Sequence, residues 1–319
     1  MKAGSVGVAG ATGLSGVFHK IGLDGVLENS IGKHKLGNGL PGRYLFAINA
    51  EMCYTWFERY SMDAKLRFAS LQSGSNGNCL FVETGGVRLL FDAGLTGLQT
   101  KRRLESFGVD IETVHAVIVS HAHSDHIYYA GVLQRQYDLP IWMTSGTFQK
   151  MLSVKSLGRV SEPYLFSSGD TLQFGSVKVE TIPTTHDAPE GVCFVIDSGT
   201  VRFGIMTDLG SRFLGLKEVI TTLDAVYLES NYDPEMLQNG VYPEELKQRI
   251  QGDQGHLSNG EAAELLLRSD KRMRWACLGH LSAKNNCPTV ALATHRKILG
   301  ETFPLHIAPR YEVSEMLEL

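Results

Sequence analysis

The segment HAHSDH, at residues 121–126, places three histidines and one aspartate within six consecutive positions. His121 and His123 are two residues apart, so they do not share one face of a helix, which needs steps of three or four. The spacing instead suits a loop that leaves the apolar strand AVIVS and curls its side chains around one centre. Imidazole nitrogens and carboxylate oxygens are ligands that zinc takes in proteins. The segment therefore predicts a metal site with the ligands His121, His123, Asp125 and His126.

Three later apolar strands each deliver a single side chain of the same ligand type. His186 follows VKVETIPTT, Asp208 ends VRFGIMTD and His280 ends RWACLGH. Zinc usually takes three or four protein ligands, so HAHSDH alone cannot complete the shells of two ions. Each of these residues would be ordinary by itself, but their repetition extends the prediction to a metal site assembled from several strands.

Strands and helices must bring these side chains together. Helical spacing is present in LQTKRRLESFG, in NGEAAELLLR after an Asn cap, and in TVALATHRKIL. Strands flanked by helices predict a layered α/β (α+β) domain. From about Lys65 onward, apolar runs bounded by turn residues predict the strands LRFASL, CLFVET, VRLLFDAG, AVIVS, PIWMTS, VKVETIP, CFVIDS, VRFGIMTD, LDAVYLES and RWACLGH.

Residues 1–61 differ from the rest, because they are rich in glycine and their hydrophobic periodicity is weak. The stretch SVGVAGATGLSG resembles a dinucleotide-binding turn. However, no second strand follows near Glu28, and the segment before residue 65 leaves no room for a nucleotide domain. We therefore interpret residues 1–61 as a flexible extension and residues 62–319 as the metal-binding domain. Met62 begins a plausible shorter product, so a misassigned start is the alternative.

Composition places the chain among ordinary globular proteins. It has 319 residues, of which 43% are hydrophobic, and a net charge of −4, so it can form a core and gains no support from charge for nucleic-acid binding. Its five cysteines form no CxxC pair, which is typical of a reduced cytoplasmic protein, and Cys277 is expected in the core. No apolar run of about 18 residues and no secretory signal are present, so no membrane partner is expected.

Taken in order, HAHSDH, His186, Asp208 and His280 resemble the ligand motifs of the metallo-β-lactamase-fold hydrolases. The turn from Asp92 to Gly94 is similar to that superfamily's first motif, whose aspartate supports the metal loop. The resemblance covers about residues 65–310 and implies an αββα sandwich, a catalytic domain with its site at one edge of two sheets. Six segments are similar to the YycJ/WalJ branch, which implies a 5′–3′ exonuclease acting on DNA: SGSNGNC, DAGLTGLQTKRRL, LESNYDPEML, YPEELKQRI, GHLSN and GHLSAKNN.

The resemblance also implies a role for each ligand, with Asp208 bridging two ions. Five neutral imidazoles and two carboxylates leave two divalent ions with a surplus of about +2, or about +1 with a bridging hydroxide, which attracts a phosphodiester. That hydroxide is the expected nucleophile. Histidine-rich ligation suits Zn²⁺, with Mn²⁺ as the alternative. One ion takes His121, His123 and His186; the other takes His126, His280 and Asp125, which is also counted as catalytic.

The expected general acid is His256 in GHLSN, because the pKa of histidine lies near neutral pH. The tRNA 3′-processing endonucleases of the same superfamily have a similar histidine, and Glu229 resembles the glutamate that orients it. The alternative is that His256 only neighbours the cap of a helix, since Ser258 and Asn259 are both suitable N-cap residues.

Polar residues near the expected centre are candidates for substrate contacts. Ser75 and Asn76 belong to a glycine-rich turn, and Lys284 follows the last ligand closely. Such residues either contact phosphate or hold their loops, and the sequence leaves both alternatives open. The full candidate set is Ser75, Asn76, Ser282, Lys284, Asn285 and Asn286.

Several other functions fit the same fold class and remain alternatives to different degrees. A class B β-lactamase is disfavoured because the common type carries Cys where Asp208 stands. A ribonuclease J-type enzyme is disfavoured because the segment between Asp208 and His280 is too short for its inserted domain. A glyoxalase-II-like thioesterase or a lactonase is the enzymatic rival, and a metal-binding module without turnover is the non-enzymatic one. The sequence leaves the oligomeric state open.

Overall fold

The computed structural model describes residues 65–157, 159–211, 215–269 and 273–319. The glycine-rich start, the dinucleotide-like turn and Met62 lie outside these residues, so the interpretation of residues 1–61 stays a prediction. Within the described part of the chain, no helix has the length and apolar character needed to cross a membrane.

Two seven-stranded sheets form the centre of the structure. The first has the order β14-β1-β2-β3-β4-β5-β6, in which β1 to β3 are antiparallel and β3 to β6 are parallel. Its strands are β1 (Arg67–Gln72), β2 (Cys79–Thr84), β3 (Val87–Phe91), β4 (Ala116–Ile118), β5 (Ile141–Thr144), β6 (Tyr164–Phe166) and β14 (Leu317–Glu318).

The second sheet repeats this plan. Its order is β13-β12-β11-β10-β9-β8-β7, in which β7 to β10 are antiparallel and β10 to β13 are parallel. Its strands are β7 (Thr171–Phe174), β8 (Val177–Pro183), β9 (Val192–Asp197), β10 (Arg202–Met206), β11 (Ala225–Glu229), β12 (Trp275–Gly279) and β13 (Leu305–Ile307).

Helices cover the outer face of each sheet. Apolar side chains pack between the two sheets, between the first sheet and its helices, and between the second sheet and its helices, which gives four layers in the order αββα. The helices are α1 (Gly97–Glu105), α2 (Ser124–Ile127), α3 (Ala130–Tyr137), α4 (Ser145–Ser153), α5 (Leu216–Thr221), α6 (Pro234–Asn239), α7 (Glu244–Gln251), α8 (Asn259–Leu267) and α9 (Pro288–Leu299), with 3₁₀ turns at Ile111–Thr113 and Lys155–Leu157.

Strand β9 shows why the strand sequences are continuously apolar. Val192, Phe194 and Ile196 pack between the sheets, whereas Cys193 and Val195 pack under the outer helices. Successive side chains of a strand point to opposite faces, so a strand buried on both faces needs apolar residues throughout. Each such side chain contributes about 1.5–3 kcal/mol when it is fully buried.

The predicted αββα sandwich is confirmed, and each predicted strand and helix has its counterpart in the structure. One detail was wrong: the N-cap of α8 is Ser258, not Asn259. Ser258 and Glu261 form a reciprocal capping box, which satisfies two backbone N–H groups at the start of the helix. Asn259 instead accepts a hydrogen bond from the Ser230 hydroxyl. Cys277 is buried between the sheets, as predicted.

Candidate metal centre

Three candidate site residues lie one or two positions after their strands in a left-handed backbone conformation. The φ angles are 64° at Asp92, 51° at Asp208 and 55° at His280. Asp and His tolerate this region better than most residues, yet it still costs about 1–3 kcal/mol and is concentrated at functional sites. Each sharp turn brings a polar side chain back across the carboxyl end of its sheet.

The HAHSDH loop is held against two other turns by backbone hydrogen bonds. The N–H of Ala93 donates to the His126 carbonyl at 2.6 Å, and the N–H of Asn78 donates to the Asp125 carbonyl at 2.7 Å. A Cβ atom at Gly94 would lie 1.8 Å from that Asp125 carbonyl, so only glycine allows the loop to approach so closely.

Two groups of side chains meet here. The first cluster is His121, His123 and His186, whose candidate ligand atoms all lie within 4.8 Å of one another. The second cluster is Asp125, His126 and His280, which satisfies the same limit. All the residues predicted as metal ligands are therefore brought together.

Asp208 lies between the two clusters. Its Oδ2 atom is 3.2 Å from Nε2 of His126, and its Oδ1 atom is 3.7 Å from Nε2 of His186. Oδ1 is also 3.4 Å from Nδ1 of His280. One carboxylate thus reaches both clusters, which is the geometry of a bridging ligand.

Neighbouring groups fix the orientation of the imidazole rings. Nδ1 of His126 is paired with Asp92 Oδ2 at 2.7 Å, and Nδ1 of His186 with the Gly255 carbonyl at 2.9 Å. Nδ1 of His121 lies 2.9 Å from the Ser120 hydroxyl. Metal-ligating histidines usually have such a partner on the second nitrogen. These partners on Nδ1 leave Nε2 of the three rings of His121, His126 and His186 directed into the centre.

Three of the atoms directed into the centre lack hydrogen-bond partners. Among the described residues, Nε2 of His121, Nε2 of His280 and Oδ2 of Asp208 are buried without a hydrogen bond. Buried polar atoms are nearly always hydrogen-bonded, so three orphaned atoms in one place require an explanation. Nitrogen and carboxylate donors that converge in this way fit divalent metal ions.

The two clusters differ in their electrostatic surroundings. Burial lowers the pKa of both His121 and His123, and neighbouring imidazoles lower it further. Burial would also lower the pKa of His280, but Asp208, Asp125 and Glu229 raise it to about 10. The second cluster therefore lies in a strongly acidic environment that a cation would compensate.

His256 and Glu229 lie beside Asp208. Nδ1 of His256 is 3.3 Å from Glu229 Oε2 and 3.6 Å from Asp208 Oδ1. Glu229 is completely buried and accepts hydrogen bonds from the backbone N–H groups of Asp208 and Leu257. Burial would raise the pKa of Glu229, but the imidazole of His256 lowers it, so the carboxylate is held ionised.

Two of the predicted substrate residues, Ser75 and Asn76, are exposed and contact an arginine outside every motif. Arg310 donates to Asn76 Oδ1 at 2.7 Å and lies 3.5 Å from the Ser75 hydroxyl. It also donates to the carbonyl of Leu281, the residue after His280. No carboxylate forms an ion pair with Arg310 among the described residues, and burial lowers its pKa.

The remaining predicted substrate residues divide into surface and buried groups. Lys284 is exposed, and the Ser282 hydroxyl accepts from the backbone N–H of Asn285 at 3.2 Å. Asn285 and Asn286 are buried. Asn286 donates to the backbone carbonyls of Ser230 and Asn231, which favours a loop-holding role over a substrate contact.

Four residues of this region were not predicted as site residues from the sequence. Asn78 donates to Asp125 Oδ2 at 3.2 Å, and its membership of SGSNGNC was the available signal. Arg310 belongs to no motif, and Asp187 and Arg249 become neighbours only in the folded chain. No local pattern in the sequence identifies Asp187 or Arg310, and the similarity of YPEELKQRI to the YycJ/WalJ branch did not mark Arg249 as a site residue.

Comparison with known proteins agrees with this geometry. The model of the metallo-β-lactamase superfamily matches residues 73–211. The chain is 36% identical over 251 residues to exodeoxyribonuclease YycJ from Bacillus anthracis, covering 76% of this chain and 94% of the relative. It is 36% identical over 233 residues to exodeoxyribonuclease WalJ from Streptococcus pneumoniae, covering 72% of this chain and 86% of the relative.

A solved structure shows the same fold. The crystal structure of the metallo-β-lactamase fold protein YhfI from Bacillus subtilis superposes with a TM-score of 0.61 at 18% identity, covering 81% of this chain and 100% of that one. The chain belongs to the metallo-β-lactamase superfamily, within the family of the YycJ and WalJ proteins. It is a hydrolase of that fold with a His/Asp cluster suited to divalent metal ions.

Proposed function

We propose that the protein is a two-metal phosphodiester hydrolase that degrades DNA as a 5′–3′ exonuclease in the cytoplasm. Asp208 carries the proposal, because its carboxylate lies within 4 Å of imidazole nitrogens from both clusters. The relatives named exodeoxyribonucleases support the choice of DNA, since the chain covers 94% of one of them at 36% identity. The chemistry of the site supports hydrolysis of an anionic ester.

The first cluster would hold one ion and the second cluster the other, with Asp208 shared between them. Two divalent ions would lower the pKa of a bound water towards about 7 and would neutralise charge that builds on phosphate oxygens. The imidazole majority among the ligands favours Zn²⁺, and Mn²⁺ is the alternative. Asp92, Ser120 and Gly255 would keep the ligand rings oriented.

His256 would act as the general acid. Its Nδ1 atom faces the ionised carboxylate of Glu229 at 3.3 Å, which leaves Nε2 to donate a proton to the departing 3′-oxygen. The same Nδ1 atom lies 3.6 Å from Asp208 Oδ1, so the acid is placed beside the shared ligand. Replacement of His256 by Ala should keep both metals and reduce kcat about 10²–10⁴-fold.

A positively charged rim beside the second cluster would bind the DNA backbone. Arg310 contacts Ser75 and Asn76, which belong to one turn. The exposed Lys284 lies on the neighbouring loop. Arginine suits this role because its planar fork matches the geometry of phosphate oxygens. Ser282 helps to shape the loop that carries Lys284.

The proposal is tested by incubating purified protein with 5′-labelled duplex DNA, duplex RNA and a thioester, each with Zn²⁺ or Mn²⁺. We expect release of the 5′ label from DNA as mononucleotides and no thioester cleavage. His256→Ala serves as the control for contaminating nucleases, because it should lose this activity while it retains the metals. Thioester cleavage without DNA degradation would overturn the proposal, and stoichiometric metal without any hydrolysis would indicate a binding module.

A further inference from the structure

An aspartate–arginine pair lies beside the first cluster. Arg249, in the last turn of α7, donates from Nε to Oδ2 of Asp187 at 2.7 Å, and a second guanidinium nitrogen is 2.5 Å from the same oxygen. The other oxygen of Asp187, Oδ1, lies 3.4 Å from Nε2 of His123 and 3.4 Å from Nε2 of His186. The pair therefore joins an exposed guanidinium to two candidate metal ligands.

Asp187 occupies the place of an anchor for His123. Oδ1 is buried and has no hydrogen bond among the described residues, although it points towards both imidazoles. His121 and His186 already have partners on Nδ1, whereas Nε2 of His123 has the Asp187 carboxylate 3.4 Å away. A carboxylate behind a ligating histidine orients the ring and raises its basicity.

Arg249 keeps donors that Asp187 does not use. A guanidinium has five N–H groups, and its contacts to Asp187 use only two of the three nitrogens. The side chain is 57% exposed. An open groove of about 380 Å³, lined by Asp187, Arg249, Gly252, Asp253 and Gln254, adjoins it. Since a water occupies about 30 Å³ in the liquid, the groove has room for a phosphate and its hydration.

The turn after α7 ties the same segment to the first cluster. The carbonyl of Gly255 is bonded to Nδ1 of His186, and the carbonyl of Gln254 accepts from the backbone N–H of Asp187 at 3.2 Å. No residue of helix α7 is fully buried, and its apolar residues Leu246 and Ile250 are only half-buried. A contact made by Arg249 is therefore transmitted to the ligands through this turn and through Asp187.

We propose that Arg249 binds a backbone phosphate of the DNA while its other edge holds Asp187 against His123 and His186. Arg249 is then a substrate-binding residue and Asp187 a positioning residue for the first cluster. Arginine can serve both partners because its fork presents two parallel donors to one anion and a third nitrogen to another. The choice of DNA as ligand rests on the proposed function.

The expected behaviour differs from that of an ordinary surface ion pair. An exposed ion pair contributes little to stability and leaves distant properties unchanged. Here, loss of the pair should reduce metal affinity at the first cluster about 10–100-fold, because the Asp187 carboxylate would no longer be held against His123 and His186. Loss of Arg249 should also remove one phosphate contact, which lowers the slope of log K against log salt by about 1.

The experiment compares Arg249→Ala, Arg249→Lys and Asp187→Asn with Lys247→Ala. Lys247 lies on the same helix and donates to the Gln238 carbonyl at 2.7 Å, so its removal subtracts an equal charge without touching Asp187. Zn²⁺ affinity is measured by chelator competition. Binding of the holoenzyme to phosphorothioate-linked duplex DNA, which resists cleavage, is measured as a function of salt.

Arg249→Ala should weaken both metal and DNA binding, whereas Asp187→Asn should weaken metal binding and keep the salt slope. Arg249→Lys should retain DNA binding better than metal affinity, because an ammonium lacks the fork. Lys247→Ala should change neither. An Arg249→Ala variant with wild-type metal affinity, or with an unchanged salt slope, would overturn the coupling. Failure of the wild type to degrade DNA would instead refute the proposed function, and the metal titrations would still test the positioning role.

Discussion

The first and second clusters use similar ligands in different surroundings. The first has three histidines, and its His123 is about one-third exposed beside the pair of Asp187 and Arg249. The second has two histidines and Asp125, and the ring of His126 is almost completely buried against Asp92. The first cluster has no carboxylate among its own members and has one partly exposed histidine, whereas the second contains Asp125 and its two histidines are buried.

This difference indicates that the two metal ions would be held by different means. In the second cluster, buried carboxylates raise the pKa of His126 well above its usual value against the opposing effect of burial, and a cation would relieve their mutual repulsion. In the first cluster, the pKa of His121 is lowered by burial, so affinity depends on neutral imidazoles and on how firmly they are oriented. The first cluster, with its partly exposed His123, is also the one whose metal affinity a substrate-binding residue can influence.

Replacement of Asp208 by Asn should have the largest effect, because its carboxylate lies against imidazoles of both clusters. We expect a loss of bound metal from both sites and a fall in kcat/KM of about 10³-fold or more, since each ion contributes several kcal/mol to the transition state. Metal analysis and DNA degradation are measured on the same preparation. If one full equivalent of metal is retained at each site, the shared role is wrong.

Removal of the metals should have the next largest effect, and it should act on stability. At a free metal concentration of about 100 times Kd, binding at one site stabilises the native protein by about 2.7 kcal/mol. This corresponds to an increase in Tm of about 5–10 °C for a domain of this size. Thermal unfolding with and without a chelator measures the difference. The Asp208→Asn variant is the control and should show little chelator dependence. An equal, large chelator effect in both proteins would argue against this site as the source.

The Asp92→Asn variant should separate the clusters. It weakens the anchor of His126 while Asn tolerates the left-handed backbone at this position, so the fold should be retained. We expect a loss of about 10–100-fold in metal affinity, confined to the second cluster. Two-step metal titration by calorimetry measures it. An equal loss at both steps would show that the clusters do not behave independently.

Arg310→Ala should have the smallest effect and should act on substrate alone. Loss of one charge-assisted contact to phosphate, worth about 1.5–3 kcal/mol, should raise KM for DNA about 10-fold or more with little change in kcat. Hydrolysis of the small diester bis(p-nitrophenyl) phosphate is the control, since it does not reach the rim. If the variant loses both activities equally, Arg310 stabilises the second cluster instead of binding substrate.

Much of the fold was predictable because strand and helix signals are local. The strand CFVIDS and the helix TVALATHRKIL have the expected periods, and the structure contains both. Short elements such as β6, β7 and α7 were not predicted. Helix α7 has only two apolar residues, Leu246 and Ile250, so its amphipathic pattern is too short to be distinctive in the sequence.

For the site, the sequence by itself determined the set of ligand types and the strands that carry them. The ligands in HAHSDH can be predicted because they lie together in the chain. His186, Asp208 and His280 can be predicted because each follows an apolar strand. Asp208 lies between the two clusters, as the resemblance implied, but the tertiary structure alone decided that Asp187 meets Arg249 and that Asn76 meets Arg310. These contacts join residues far apart in sequence, and their distances depend on how two sheets pack, which no local pattern encodes.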